Sequence, residues 1–401
     1  MRKNKDCVFY RQRKTIALII VLILVTVLAA CQAAGSETEY EATAEGERFL
    51  PGGFYSGGQW LVGILHNHTT FSDGIDEPEE MMELAVELGL DFLYFHDHNL
   101  AWIWHGLVEE TFVEMRERVH AKAEELGLLV GVGIEVGVFT EQESVRWPGY
   151  PSWYGEFLAF NLTNFIDVTG LNAREAITQA LADNPGSFIS IAHPFSLAED
   201  TFWMGGWDIP GITHMEVWNA YEDGYYYLGD WRQAGLPDDP NNLKAFMAWD
   251  YLNNRGLRIF GTAGSDSHDM TFMDTVFSVH YIGTGPATME AIYESFINGR
   301  FYGSNGPRIT EFTVNGEMMG GTTAAGELEI VISLEYNRPI TRVWLYKNGY
   351  VLEEWEPGTT TFEITVESEA EQWDFFRVMF ESRPGGGRPG FAFSNPVFIG
   401  E

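Results

Sequence analysis

The 401-residue sequence predicts an α/β domain built on a parallel sheet that closes into a barrel, followed by a small all-β domain. Three observations carry that expectation. Between Trp60 and Gly264, short apolar runs alternate with longer amphipathic segments. The runs are near-continuously apolar, as strands covered on both faces are. Beyond Pro307 the pattern changes to alternating or β-branched segments at short spacing.

In chain order, residues 1–30 read as a targeting segment. Arg2, Lys3, Lys5, Arg11, Arg13 and Lys14 form a basic start, and Ile16 to Ala30 is an apolar run too short to span a bilayer comfortably. Leu28-Ala29-Ala30-Cys31 resembles the lipobox of bacterial lipoproteins. The resemblance implies cleavage before Cys31, a lipid on that residue, and a mature protein tethered outside the cytoplasmic membrane; an uncleaved signal anchor is the alternative. The chain has 2 cysteines, and Cys7 falls in the segment to be removed, so the exported body is expected to hold no disulfide. Residues 31–57, small, acidic and glycine-bearing, read as a flexible linker. The formal charge of -34, from 24 Lys and Arg against 58 Asp and Glu, argues against nucleic acid as a partner, because a phosphate backbone needs a basic footprint.

WLVGIL (60–65), DFLYF (91–95), LLVGVGI (128–134), FISIA (188–192), THMEVW (213–218) and RIFGTAG (258–264) are the expected strands. Residues 78–89, 107–127 and 171–186 are helical stretches, the first opened by proline and the first two closed by glycine. Strand, helix, strand in succession implies right-handed crossovers. Residues 58–308 match the roughly 250 residues of a closed α/β barrel. From 309 to 401, five strand-like runs with hairpin turns at Asn315-Gly316 and Asn348-Gly349 predict a β-sandwich, read as an accessory module.

Of the 10 histidines, five sit beyond the C-terminal ends of predicted strands, in company with carboxylates: His66, His68 and Asp73 in HNHTTFSDG, His98 in HDHN, Glu135 in GIEV, His193 in AHPF, and Asp266 and His268 in GSDSHD. That rim is where parallel α/β folds build their sites. Residues i and i+2 of a strand share a face, so His66 with His68, and Asp266 with His268, are expected to reach common centres. Mixed imidazole and carboxylate donors suit Zn, Mn or Fe. A single histidine at a strand end is more often a satisfied structural residue; the recurrence at successive strand ends is what points to metal.

These motifs, in this order, resemble those of the PHP superfamily, named for polymerase and histidinol phosphatase. EVWN (216–219), WDYLNNRG (249–256) and INGRFYGSNGP (297–307) are similar to its exported, carbaryl-hydrolase-like branch. The resemblance implies a distorted seven-stranded (β/α) barrel holding two to three divalent ions. His66, His68, Glu135 and Asp266 would hold the first. Glu135 would bridge to a second, completed by His193 and Glu156, and Asp73, His98 and His268 would hold the third. The family usually has histidine where this chain has Glu156; Glu141 and Glu143 are other candidates for that position. A glutamate there makes the centre one charge less positive and so a weaker trap for phosphate.

The expected chemistry is hydrolysis by a water that the metals activate. No Gly-x-Ser-x-Gly elbow is present. Asp97 is a candidate proton acceptor, with capping of its loop as the alternative, and His96 has no assigned role. Phosphoesters are the expected small-molecule substrates. Carboxylester, carbamate or amide hydrolysis on the same fold is the first alternative, and a non-catalytic surface binding protein with a structural metal is the second. Aromatic residues crowd 101–106, 202–207 and 221–231, as substrate walls or as loop packing.

Overall fold

Successive residues of the first long strand point to opposite faces, and both faces are buried: Trp60, Val62 and Ile64 enter one apolar core, Leu61 and Leu65 another. This is the signature of a sheet covered on both sides, and it explains why the run shows no alternation. The computed structural model describes residues 49–99, 106–143, 151–195, 203–220, 237, 240–383 and 388–400, with backbone alone for 139–143 and 151–154. The targeting segment with Cys31, and residues 101–105, 202 and 221–231 of the aromatic stretches, lie outside the described residues; Trp203 and Trp207 are described and pack with the core.

The α/β region runs β1 (Gly53–Tyr55), β2 (Gly58–Ile64), α1 (Pro78–Glu87), β3 (Phe92–Phe95), α2 (Glu109–Leu126), β4 (Leu129–Val132), β5 (Ile134–Glu143), β6 (Pro151–Phe160), α3 (Ala173–Asp183), β7 (Phe188–Ile191), β8 (Ile212–Asn219), α4 (Pro240–Asn254), β9 (Phe260–Gly264), β10 (Phe277–Gly283), α5 (Met289–Ile297) and β11 (Phe301–Ser304). It is a mixed α/β fold. Strands β2, β3 and β4 pair in parallel, as do β7, β8 and β9, whereas β6 is antiparallel to both β5 and β7. The run expected as one strand over 128–134 divides at Gly133, whose amide bonds back to Phe95 O at 2.9 Å. A Cβ at Gly133 would stand 2.3 Å from Ala159 O, so the chain passes there only as glycine.

Two isolated parallel bridges join the sheets, Asn67 with Ser267 just beyond β2 and β9, and His98 just beyond β3 with Glu135 at the start of β5. Ser265 N to Leu65 O (3.0 Å) and His68 N to Ser267 O (2.8 Å) extend the first. These links bring the ends of β2, β3, β5 and β9 together, and the candidate ligands sit there.

Strands β6, β10 and β11 and helices α4 and α5 lie outside the elements that the periodicity predicts. Helix α4 shows why: Asn241, Asn242, Asp250 and Asn253 are buried beside Ala245, Phe246, Trp249 and Leu252, so polar residues break up the apolar stripe of its inward face. A second departure concerns residues 49–57, expected as the end of a flexible linker. They are packed: β1 pairs with β2, the Tyr55 ring stacks on Trp60 at 5.2 Å, and Tyr55 Oη lies 2.6 Å from Tyr302 Oη. The aromatic side chains in this otherwise small and acidic stretch supply the apolar surface that anchors it.

The C-terminal region comprises β12 (Arg308–Val314), β13 (Glu317–Met318), β14 (Thr322–Ala324), β15 (Gly326–Glu335), β16 (Arg342–Lys347), β17 (Tyr350–Trp355), β18 (Thr361–Ala370), β19 (Phe375–Ser382), β20 (Gly390–Ser394) and β21 (Val397–Gly400). Strands β12, β13, β15 and β18 form one sheet. The others continue the sheet of β2, because β20 pairs with β11 in register Gly303 with Phe393. The change of pattern at Pro307 is therefore not a break in the hydrogen-bonded sheet. Both expected hairpin turns form, with Asn315 (φ 50) and Gly316 (φ 80), and Asn348 (φ 55) and Gly349 (φ 79), in the left-handed region.

Candidate metal centre

The expected ligands converge. His66 Nε2 lies 3.0 Å from Glu135 Oε2 and 3.4 Å from Asp266 Oδ1, and His68 Nε2 lies 3.2 and 3.1 Å from the same two atoms. His193 Nε2 is 3.0 Å from the other Glu135 oxygen and 3.6 Å from Glu156. His98 Nδ1 stands 3.5 Å from both Glu135 and Glu156, and its Nε2 is 3.6 Å from Asp73. His268 Nε2 is 3.3 Å from Asp73. Donor atoms within 4.8 Å of one another fall into three overlapping sets: His66, His68, Glu135 and Asp266; His98, Glu135 and Glu156; and His68, Asp73, His98 and His268. The side chains of Glu141 and Glu143 lie outside the described residues.

The convergence does not arise as the spacing suggested. His66 and Asp266 lie beyond the ends of β2 and β9 and take left-handed conformations, φ 61 and φ 49. Strand alternation therefore does not align His66 with His68, or Asp266 with His268, and the second pair divides between two sets. Such conformations cost on the order of 1–3 kcal/mol each and persist only where the surroundings impose them. Here the parallel bridge Asn67–Ser267 fixes both turns against each other.

The buried atoms of this cluster lack what a closed protein core would supply. His68 Nδ1 and Nε2, Glu156 Oε1 and Asp266 Oδ1 are buried with no hydrogen bond, a costly state unless a cation satisfies them. Divalent metal fits this donor set: four carboxylates and five imidazoles facing one another, Asp73 alone being substantially exposed, at 34% of its side chain. Electrostatics point the same way. Burial opposes charge on His68, yet Asp266 and Glu135 hold its pKa up at about 10. His66 is raised in the same manner by Asp266, Glu135 and Glu216 against burial. Burial together with the neighbouring Glu135 and Asp266 carboxylates pushes Glu156 well above the usual carboxylate range. Protons thus sit where a metal would replace them.

The hydrogen bonds of Asp97 are those of the loop-capping alternative. Fully buried, it accepts from Thr69 N at 2.8 Å, from Thr69 Oγ1 at 2.9 Å and from Ser72 Oγ. Its carboxylate is occupied in holding the 66–74 loop, so it positions His68 and Asp73 rather than joining the cluster. Gly74 closes that loop; a Cβ there would stand 2.4 Å from His68 O.

Two residues of the site, the first and last of EVWN (216–219), had no role assigned from the sequence. Glu216 at the end of β8 is 1% exposed, its Oε1 2.9 Å from His66 Nδ1, and its Oε2 accepts from His193 N at 3.0 Å. It thereby fixes the ring of His66, whose other nitrogen faces Glu135 and Asp266. Asn219 donates to both Glu216 and Asp266 at 3.2 Å, and is itself held by Asn242 of α4 through paired 2.9 Å bonds. Gly264 leaves the space Glu216 occupies, since a Cβ there would fall 1.9 Å from Glu216 Oε1.

Residues 65–232 match the family model of the PHP domain. The match spans less than half of the chain and begins at the first candidate ligands. Among solved structures, the chain is similar to a two-domain protein containing a predicted PHP-like metal-dependent phosphoesterase from Bacteroides vulgatus ATCC 8482, with 16% identity over 87% of this chain and 98% of that one and a TM-score of 0.46. It is also similar to PsfC from Pseudomonas syringae PB-5123, with 13% identity over 60% of this chain and 89% of that one and a TM-score of 0.34. A third is an amidohydrolase from Chromobacterium violaceum, with 14% identity over 60% and 96% of the two chains and a TM-score of 0.31. No curated protein matches the chain.

Proposed function

We propose that the protein is a metal-dependent hydrolase, anchored by a lipid on Cys31 outside the cytoplasmic membrane, that acts on phosphoesters of small molecules. The observation that carries this reading is the group of buried, unbonded donor atoms of His68 and Glu156, inside the PHP-domain match, and of Asp266 beyond it. The fold reading is a distorted seven-stranded barrel. Strands β2, β3 and β4 pair in succession, as do β5, β6, β7, β8 and β9; the isolated bridges His98–Glu135 and Asn67–Ser267 link the two sets, and β4 with β5, the run that divides at Gly133, count as one strand of the seven. The C-terminal strands are read as a sandwich on its flank.

His66, His68, Glu135 and Asp266 would hold one divalent ion, Glu135, His193 and Glu156 a second, and Asp73, His98 and His268 a third. Zn, Mn or Fe there would supply an acidified water and Lewis acidity toward the scissile group. The chain's own contribution is orientation and charge. Glu135 touches His66, His68, His98 and His193 and so lies at the junction of the sets. Glu216 fixes the ring of His66 and the backbone of His193, and Asn219 steadies Asp266.

A second reading, hydrolysis of carboxylesters, carbamates or amides, is favoured by one feature. Among the described residues, the ion-pair partners of Asp73, Glu135, Glu156 and Asp266 are all histidines, with no Lys or Arg beside them to receive a phosphate. The test is to strip the purified protein with a chelator, restore Zn, Mn or Fe singly, and assay p-nitrophenyl phosphate beside p-nitrophenyl acetate. Phosphate hydrolysis that disappears and returns with metal supports the proposal, and return of acetate hydrolysis alone selects the second reading. A fully reloaded protein with no turnover of either leaves the metal a structural one.

A further inference from the structure

Away from the metal centre, a cavity of about 240 Å³ opens between α4 and the outer face of β16 and β19. The sheet alternates here. Val343, Leu345, Val378 and Phe380 are buried in the core, while Trp344, Tyr346, Arg377, Met379 and Glu381 turn toward the helix. Register sets Trp344 opposite Met379 and Tyr346 opposite Arg377. Helix α4 covers part of this face: Asp250 accepts from Arg377 Nε at 2.8 Å and Nη2 at 2.6 Å, and Asn254 donates to Asn348 O at 2.9 Å. Beside that clamp the cavity remains, with Leu243 at its rim 50% exposed.

The lining has the makings of a binding site. The Arg377 side chain is only 3% exposed and packs 3.9 Å above the Tyr346 ring. Its Nη1 is buried with no hydrogen-bond partner, and Arg377 is among the residues that line the cavity. A guanidinium N–H without an acceptor is expensive to bury, so the group is incomplete as it stands. The charges are already balanced: Asp250 neutralises Arg377, and Glu381, the other carboxylate in the lining, accepts from Arg383 Nε at 2.7 Å. A free anion or cation would gain little in such a place. A hydroxyl group suits it better, since one hydroxyl accepts from Nη1 and a neighbouring one donates to a carboxylate. The half-buried aromatic side chains of Trp344 and Tyr346 offer apolar surface for the C–H face of the same ligand.

We propose that this cavity binds a neutral polyhydroxylated ring, a pyranose unit of a glycan, and that α4 together with the outer face of β16 and β19 thereby forms a glycan-reading site separate from the metal ligands. Saturation-transfer NMR on the full-length protein tests it with methyl glucoside, methyl galactoside and methyl N-acetylglucosaminide, and with sodium acetate as a competitor. Two variants accompany the wild type. Trp344→Ala removes aromatic surface without touching the Arg377–Asp250 pair, and Leu243→Trp fills the cavity from the exposed side of α4. The expected result is saturation of at least one glycoside, undiminished by acetate, with a Kd raised at least tenfold in both variants. Absence of transfer to every glycoside overturns the proposal, as does binding unchanged in Leu243→Trp. Displacement by acetate makes the cavity an anion site and overturns it equally.

Discussion

Buried histidines occupy two levels of this fold, and they live by different rules. In the apolar interior, His214 Nε2 meets Phe296 O at 3.1 Å and its Nδ1 meets Thr213 Oγ1 at 2.8 Å, while His280 contacts Ser278 Oγ and Ser295 Oγ at 2.8 and 3.1 Å. Every ring nitrogen of these two has a neutral partner, and burial holds His214 down at about 4 and His280 well below the ordinary value. At the rim, His66 and His68 face carboxylates and are held up instead, and His68 has no hydrogen bond at either nitrogen. Burial is similar in both places. What separates a structural histidine from a ligand is therefore the carboxylates that face it: His96, packed against Tyr94 and Phe160, is buried with neither ring nitrogen hydrogen-bonded, is held down by burial and belongs to no ligand set.

The sharpest way to break this comparison is at the junction. Glu135→Gln removes charge from the carboxylate that four histidines share, and metal affinity is expected to fall by more than roughly 100-fold, read by competition with a fluorescent chelator. Glu216→Gln keeps every proposed ligand but weakens the orientation of His66, so the loss should be smaller, roughly 10- to 100-fold, as for other residues that orient ligands. Equal losses in the two variants would mean that Glu216 is itself a ligand.

His280→Leu probes the other level. It leaves Ser278 without its partner, and should cost about 1–3 kcal/mol in a denaturant titration while metal content stays unchanged. Loss of metal in that variant would dissolve the distinction between the levels.

The smallest effect concerns pH. Between pH 7 and 10 the metal-free native state keeps a proton on His68, and His66 is held up in the same direction, whereas the unfolded chain, with ordinary histidines near 6.5, has already lost both. The native state binds more protons, so the stability of the metal-free protein falls as pH rises through this window. In the loaded protein those rings are deprotonated ligands and that contribution is absent. Thermal melts at pH 7, 8 and 9 should show the metal-free protein losing a few degrees relative to the loaded one; parallel curves would contradict the assignment.

How much of this was legible beforehand varies with how each feature is written in the chain. The candidate ligands stand as histidine and carboxylate pairs just beyond apolar runs, so their neighbours advertise them. Glu216 sits inside an apolar strand as a single acid, and nothing local distinguishes it from a chance carboxylate; only the fold brings it to His66 Nδ1. The left-handed turns at His66 and Asp266 were equally hidden, because these residue types do not announce a positive φ as glycine does. The strands β7, β8 and β9 were readable as buried apolar runs, whereas α4 was masked by the four polar residues on its inward face. Tyr55 and Trp60 tie down a segment whose small, acidic composition reads as linker.

Metal analysis of the purified full-length protein tests the central claim most directly. Inductively coupled plasma mass spectrometry on wild type and Glu135→Gln should find two to three Zn, Mn or Fe ions per wild-type chain and a clear loss in the variant. A wild-type content near zero after incubation with each metal, with all five rim histidines intact, would contradict the account.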